Sequence, residues 1–508
     1  MHQSIYIDNT IIHRMHIAQT CELIPFADPA SLYTIVKTEE ERASYLLESR
    51  EGSDKIARYS IMGFDPAFQF SAKNGMLKTQ IYDDFFAQWM RRVAKEYEHE
   101  NPLHLMRAFL HGLEREGTGR KARFIGGFVG YLSYDFIRYF VDVGASAVDS
   151  LKQPDCEFLL TKKNIIVDHK AKKAFLLCHE FSDDAGASSV NSQPPDTLWK
   201  AAQRSKRKHN PLDGLSPEFS STMEKEEYER GVRVAKDYIY AGDIFQVVLS
   251  QRLEADCDAD GGDALAFYTR LSEVNPSPYM YFLEFGERKI VGASPEMLVR
   301  VGPAGLDAQG RQGRKVESCP IAGTRRRGIT EAEDKRLEVE MLSDEKERAE
   351  HLMLVDLSRN DVGKVSVFGT VKAEPFMYPE KYSHVQHIVT DVVGELRADK
   401  DEFDALEATF PAGTVSGAPK VRAMEIIEEL EGTRRGIYAG CVGYFSFNCA
   451  MDTAITIRTA VFEHGKVYLQ AGAGIVADSD PEREYKETLS KCAALLECLS
   501  SGEAVRER

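Results

Sequence analysis

No Cys-x-x-Cys pair occurs in this sequence; its nine cysteines stand singly and are odd in number. That pattern offers neither a zinc site nor a disulfide frame, and it suits packing thiols in a reducing cytoplasm. Long apolar runs are missing too. The most apolar stretch, FIGGFVGYLSY at Phe124–Tyr134, is too short to cross a bilayer and is closed by Asp135, so no membrane partner is expected. The opening MHQSIYIDNTIIHRMH lacks a basic start followed by an apolar core, so no export signal is expected. Positive charge is also short: 64 Lys and Arg against 80 Asp and Glu leave a net charge of −16. This argues against nucleic acid as the main partner, and an anionic substrate would need local cations or a metal. Walker, G-x-S-x-G and H-E-x-x-H signatures are absent. Cys441 comes nearest to a glutaminase G-x-C-x-G, but Ala439 fills the first glycine position.

What is present is enough apolar sequence, 43% of 508 residues, for a large core. A small, polar, Pro-containing seam, SDDAGASSVNSQPPD followed by RSKRKHNPLDGLSPE, predicts a linker over 182–221. It divides an N-terminal region, 1–181, from a region over 222–500, with a tail at 501–508. Strands are expected at AFQFSA, NIIVDHKAKKAFLLC, YMYFLEF, KIVGAS, GCVGYFSF, DTAITIRTAVFE and KVYLQAGAGIV. Helices are expected at Asp83–Glu98, Glu224–Gly242, Glu331–Asp361, Pro419–Gly432 and Asp480–Ser500. Hairpin-like spacing favours antiparallel pairing and an α+β class.

Two acidic stretches raise the chemical question. In DEKERAEH, Glu347 and Glu350 stand three apart on one helix face that runs on into Leu354 and Leu357. In DSDPEREYKE, Asp480 is the expected N-cap, Pro481 the first helical residue, and Glu484 and Glu487 share a face. Both could be ordinary charged helices, or the two pairs could hold a hard cation such as Mg2+ through oxygen. FPAGTVSGAPK places a Gly-rich loop before a helix, a spot suited to an anion. AGAGIV reads as a close backbone approach or a glycine bulge. Arg458, in a strand pattern, needs a carboxylate from protein or substrate if it faces inward. His387 and Tyr438 default to structural packing.

Taken together, PIAGTRRRG, AEHLMLVDLSRNDVGKV, FPAGTVSGAPKVRAMEII, GCVGYFSF, TIRTA and AGAGIVADSDPEREYKET resemble the chorismate-utilising enzymes over about residues 220–500. YLLESREG and GGFVGYLSYD extend the resemblance to the anthranilate synthase large subunits in particular. The resemblance implies an α+β fold of two packed antiparallel β-sheets with helices outside, in which both sequence halves form one body. It makes Glu350 and Glu487 Mg2+ ligands, with Glu347 and Glu484 close by. Gly323, Thr324, Tyr438, Arg458 and the Gly472–Ala473–Gly474 backbone become chorismate-binding positions. His387, Thr414 and Glu296 match active-site positions.

Two positions separate the branches. Gln246 stands where isochorismate-forming relatives carry a lysine base, and Ala322 where aminodeoxychorismate synthases commonly carry a nucleophilic lysine. The resemblance therefore implies Mg2+-dependent addition of ammonia to chorismate with loss of the C4 hydroxyl, Glu347 being the expected acid, and then elimination of pyruvate near His387 to give anthranilate. It also implies tryptophan feedback through Ser49, Pro278, Tyr279 and Met280. Ammonia would come from a separate glutamine amidotransferase subunit, component II, in a heterotetramer. The competing reading is a catalytically silent tryptophan-sensing or interaction subunit.

Overall fold

Runs of buried residues, continuous rather than alternating, mark strands covered on both faces: every residue of Gly127–Leu132 is buried, and every residue of Tyr279–Phe285 after the first. The computed structural model describes residues 15–39, 42–51, 58–97, 100–115, 122–183, 217–257, 261–303, 313–382 and 385–500. Most of the expected 182–221 linker and the whole 501–508 tail lie outside the described residues.

Among the described residues pairing is antiparallel almost throughout; Met15–Ile24 with Leu113–Arg115 is a parallel strand pair, and Val148 with Thr433 an isolated parallel bridge. One arm of the ladder runs from Gln246–Asp256 through Lys466–Ile475, Thr459–Glu463, Arg288–Ser294 and Tyr279–Phe285 to Ser44–Glu48. The other runs from Gly127–Leu132 through Cys441–Ser446, Met451–Ile455, Met297–Val301 and Arg314–Ser318 to Val392–Leu396. A long pair, Tyr59–Lys73 with Cys156–Asp168, joins them. Its register shifts between Pro66 and Phe68, where Asp65 takes φ 54°. Residues far apart along the ladder then share one core: Tyr45, Tyr281 and Val461 from the first arm meet Val129, Tyr131 and Val442 from the second. The two packed sheets are thus one hydrogen-bonded ribbon folded back on itself. Strands of the N-terminal half pair directly with strands of the C-terminal half in both arms.

Helices cover the outside. Lys225–Ala241 and Pro481–Leu499 pack together beside Lys466–Ile475, and Glu345–Val365 lies on Val392–Leu396. The sequence pattern at Glu331–Asp361 suggests one helix; the structure has two, Glu331–Ser343 and Glu345–Val365. The break is Asp344, whose carboxylate accepts from the N–H groups of Lys346 and Glu347 and so starts a new helix. Asp480 caps the last helix from Arg483 N at 3.0 Å, with Pro481 in its first turn. A separate three-stranded sheet, Ile321–Arg326, Val385–Val389 and Tyr378–Lys381, lies next to the helix that Asp344 begins.

Candidate active site

The chain crosses between the two arms at Pro295–Glu296, leaving Ser294 and entering Met297, and again at Thr456–Arg458, leaving Ile455 and entering Thr459. Both crossings open onto one cavity of about 200 Å3. Its wall includes Glu296, Thr324, His387, Thr414, Tyr438, Arg458, Gly472 and Gly474, eight positions drawn together from distant sequence. Arg458 is therefore not inside a strand, as its pattern suggests: it sits at the break with φ 51°.

Strand Val385–Val389 carries His387 against the bulge between Ala322 and Thr324. Gly323 makes that bulge at φ 62°, a conformation that side chains rarely take. His387 Nδ1 lies 2.9 Å from the Gly323 carbonyl and 3.1 Å from Thr324 Oγ1. A carbonyl can only accept, so Nδ1 carries the proton and Nε2 keeps its lone pair. Nε2 is buried with no hydrogen-bond partner. Burial lowers the imidazole to about 4, with nearby Arg458 acting in the same direction against the Gly323 bond. The ring is neutral at pH 7, a base with nothing to accept a proton from except the cavity.

Glu296 is 7% exposed, and burial pushes its carboxyl up to about 8 against the influence of Thr414, the Ile321 backbone, Arg458 and Lys491. It is a neutral acid at pH 7. The Thr414 hydroxyl beside it is buried and makes no hydrogen bond of good geometry. Arg458 forms no side-chain hydrogen bond or ion pair among the described residues. Burial lowers it, while Tyr382 and Glu296 pull it up. Among the described residues no carboxylate forms an ion pair with it, Glu296 being the one carboxyl whose field reaches it.

Strand Lys466–Ile475 keeps regular register with Gln246–Asp256, so AGAGIV holds no bulge. Its glycines serve close approach instead: a Cβ at Gly472 would lie 2.8 Å from the Tyr438 hydroxyl, and one at Gly474 2.5 Å from Gln246 Nε2. Alternation turns Ala473 into the core, leaving only its backbone for a ligand. Tyr438 is a wall residue rather than plain packing, and Arg435 stacks near its ring at 5.6 Å. Gln246 stands just behind the wall with its Oε1 buried and unpartnered.

The acidic pairs lie next to this cavity. Burial raises Glu350, and Glu347, Glu487 and Glu484 raise it further against Lys346, so the two helices bring their carboxylates within electrostatic reach. Burial raises Glu484 as well, with Glu487 adding to it. Three of the four meet a cation: Glu350 with Lys346 at 3.8 Å, Glu487 with Lys491 at 2.8 Å, Glu347 with Arg325 at 2.9 Å. Among the described residues no group of three or more such donors is gathered closely enough to hold a metal. The chemistry of the set still fits a hard divalent cation: oxygen donors only, mutually repelling, with Glu347, Glu350 and Glu484 half-buried and Glu487 exposed.

Glu347 as the expected acid meets a physical objection. Its carboxylate accepts from Arg325 at 2.9 Å and stands 3.2 Å from a Cβ position on Gly323, outside the cavity wall, whereas protonated Glu296 is in the wall. Sequence reasoning missed Lys491, which bonds the Gly472 carbonyl at 2.9 Å and lines the cavity. Its position one turn beyond Glu487 was the available signal.

A second cavity, of about 220 Å3, lies between Leu47–Ser49, Tyr279–Tyr281 and Val442–Tyr444. Ser49, Tyr279 and Met280 line it; Pro278 is buried but does not.

His387 with a free imidazole nitrogen, the buried Glu296 carboxyl and a guanidinium without an ion pair among the described residues line one cavity, groups suited to moving protons on an anion. The chain belongs to the chorismate binding enzymes, whose family model matches residues 42–497. Anthranilate synthase component 1 of Acetivibrio thermocellus is 44% identical over 488 residues, 94% of each chain. Aminodeoxychorismate synthase component 1 of Bacillus subtilis (strain 168) is 38% identical over 481 residues, 94% of this chain and 97% of the other. The crystal structure of anthranilate synthase component I from Streptococcus pneumoniae TIGR4 matches with TM-score 0.69 at 34% identity, over 88% of this chain and 93% of that one.

Proposed function

We propose that this chain is the chorismate-converting large subunit of an anthranilate synthase, forming anthranilate and pyruvate from chorismate and ammonia. The observation that carries the reading is the unpartnered His387 Nε2 facing the same cavity as Arg458. Arg458 and Lys491 offer charge to the substrate's carboxylates. As ammonia adds at ring C2, Glu296 protonates the departing C4 hydroxyl; this replaces Glu347 in that role. His387 Nε2 then takes the proton from C2 as the C3–O bond breaks and the ring becomes aromatic, and that proton passes to the methylene carbon of the released enolpyruvate to give pyruvate. Ammonia is itself a nucleophile, so the amide of Gln246 near Gly474 need not act as a base, whereas addition of water would require one. Ala322 lines the cavity and offers no nitrogen for covalent attack, which sets this reading above aminodeoxychorismate synthesis.

Glu350 and Glu487, with Glu347 and Glu484 beside them, would hold Mg2+, which would supply neutralising charge to the ring carboxylate. The 220 Å3 cavity suits tryptophan as feedback inhibitor. Its wall strands Tyr279–Phe285 and Met451–Ile455 lead toward the crossings that carry Glu296 and Arg458: Tyr279 pairs with Ser294, two residues before Glu296, and Ile455 precedes Arg458 by three.

An amidotransferase partner would supply ammonia from glutamine in the cytoplasm. The test is turnover with each nitrogen source. The reading expects activity with ammonium on the chain alone and with glutamine only after the amidotransferase subunit is added; glutamine use by the chain alone would overturn it.

A further inference from the structure

The wall of the second cavity is mostly apolar, and its charged groups divide in an uneven way. Three carboxylates reach it, and each already has its own partners. Glu48 bonds Arg50 at 2.9 Å and the Tyr268 hydroxyl at 2.7 Å. Asp168 accepts from Arg58 at 2.9 Å and from the backbone of Lys170 and Ala171. Asp452 accepts from Arg300 at 2.8 Å and from the Tyr279 hydroxyl at 3.1 Å.

One cation lines the same wall: Arg123, at the entry to strand Gly127–Leu132. Among the described residues its guanidinium makes no hydrogen bond, no ion pair and no stacking contact over a ring. Tyr59 and Tyr444, both also in the wall, feel its charge. It is half-buried, so the absence of a fixed partner is a feature of the cavity rather than of open surface. A guanidinium held in a low-dielectric pocket without an anion favours a ligand that brings one, and its planar fork matches a carboxylate.

We infer that Arg123 reads the α-carboxylate of the amino acid that fills this cavity, while the aromatic wall of Phe124, Tyr279 and Tyr444 takes the ring. Arg123 thereby sets specificity for the amino acid over its decarboxylated amine. This rests on the proposed tryptophan-binding role of the cavity and adds to it the residue that distinguishes tryptophan from tryptamine.

The experiment is calorimetric titration of the full chain with tryptophan and with tryptamine, for the native protein, Arg123→Gln and Arg123→Lys. The expected result is a native preference for tryptophan that Arg123→Gln reduces roughly 10- to 100-fold, the range of a charge-assisted hydrogen bond, with tryptamine affinity unchanged. Arg123→Lys retains part of the preference. Retained tryptamine binding also shows that the variant is folded. Equal weakening of both ligands, or unchanged tryptophan binding by Arg123→Gln, overturns the assignment while leaving the tryptophan site standing. A native chain that binds tryptophan no better than other amino acids removes the site itself.

Discussion

His387 and Gly323 fix each other: the histidine ring donates from Nδ1 to the Gly323 carbonyl at 2.9 Å, and the glycine holds the left-handed bulge that brings its carbonyl there. The bond sets the tautomer and leaves Nε2 as the free base of the cavity. Replacing His387 by Ala should spare ammonia addition and slow the elimination of pyruvate, roughly 10²- to 10⁴-fold for loss of a general base. Chromatography of the products should then find an aminated, unaromatised intermediate. Unchanged anthranilate output would remove His387 from the second step.

Glu296 gives a pH signature. Its carboxyl is raised to about 8, so the acid form persists through neutrality and the rate should fall as pH rises past about 8. Stability has the same sign. Between the ordinary value of 4.5 and about 8 the folded state binds a proton that the unfolded chain has lost. Its contribution is therefore complete below 4.5 and lost as pH rises through 8. Glu296→Gln, which cannot ionise, should raise the melting temperature at pH 8.5 relative to native protein more than at pH 5, and should remove the alkaline limb of the rate profile. Parallel pH dependences for variant and native chain would contradict this.

The glycine strand predicts two unequal substitutions. At Gly472 a Cβ would meet the Tyr438 hydroxyl at 2.8 Å and the rigid Leu249 carbonyl at 2.9 Å, so Gly472→Ala should cost about 1–3 kcal/mol of stability and raise KM for chorismate. At Gly474 the nearest atom is the mobile end of Gln246 at 2.5 Å, so Gly474→Ala should cost less. Denaturant midpoints and KM values decide; equal costs would contradict the geometry.

Much of this arrangement was legible in the sequence, and the residues show why. Asp480 and Pro481 announced a helix start because capping is local chemistry, and the last helix begins there. The two Glu-x-x-Glu faces were visible from helical spacing alone, but their mutual approach was not, since it depends on helices more than a hundred residues apart. Asp344 was read with the acidic face because its role, interrupting a continuous helical pattern, needs the backbone to turn at that residue. Arg458 looked like a strand residue since its neighbours alternate correctly; only the crossing between the arms exposes the break. The second cavity is built by eight strands of low local distinctiveness, and resemblance alone pointed to Ser49, Tyr279 and Met280. Arg123 carried no local signal at all.

The acidic pairs predict the metal response. Glu350→Gln removes one oxygen donor from the pair of helices and should abolish the stimulation of turnover by Mg2+ while leaving the fold intact, as judged by circular dichroism. Persistent Mg2+-dependent turnover with ammonium would displace the proposed site from these helices.

The most direct measurement supplies the purified chain with chorismate, Mg2+ and ammonium, and reads the products by fluorescence and chromatography. The cavity of His387, Glu296 and Arg458, with Gln246 and Ala322 at the branch positions, predicts anthranilate and pyruvate in equal amounts. Isochorismate or 4-amino-4-deoxychorismate as the main product, or no turnover of chorismate, would contradict it.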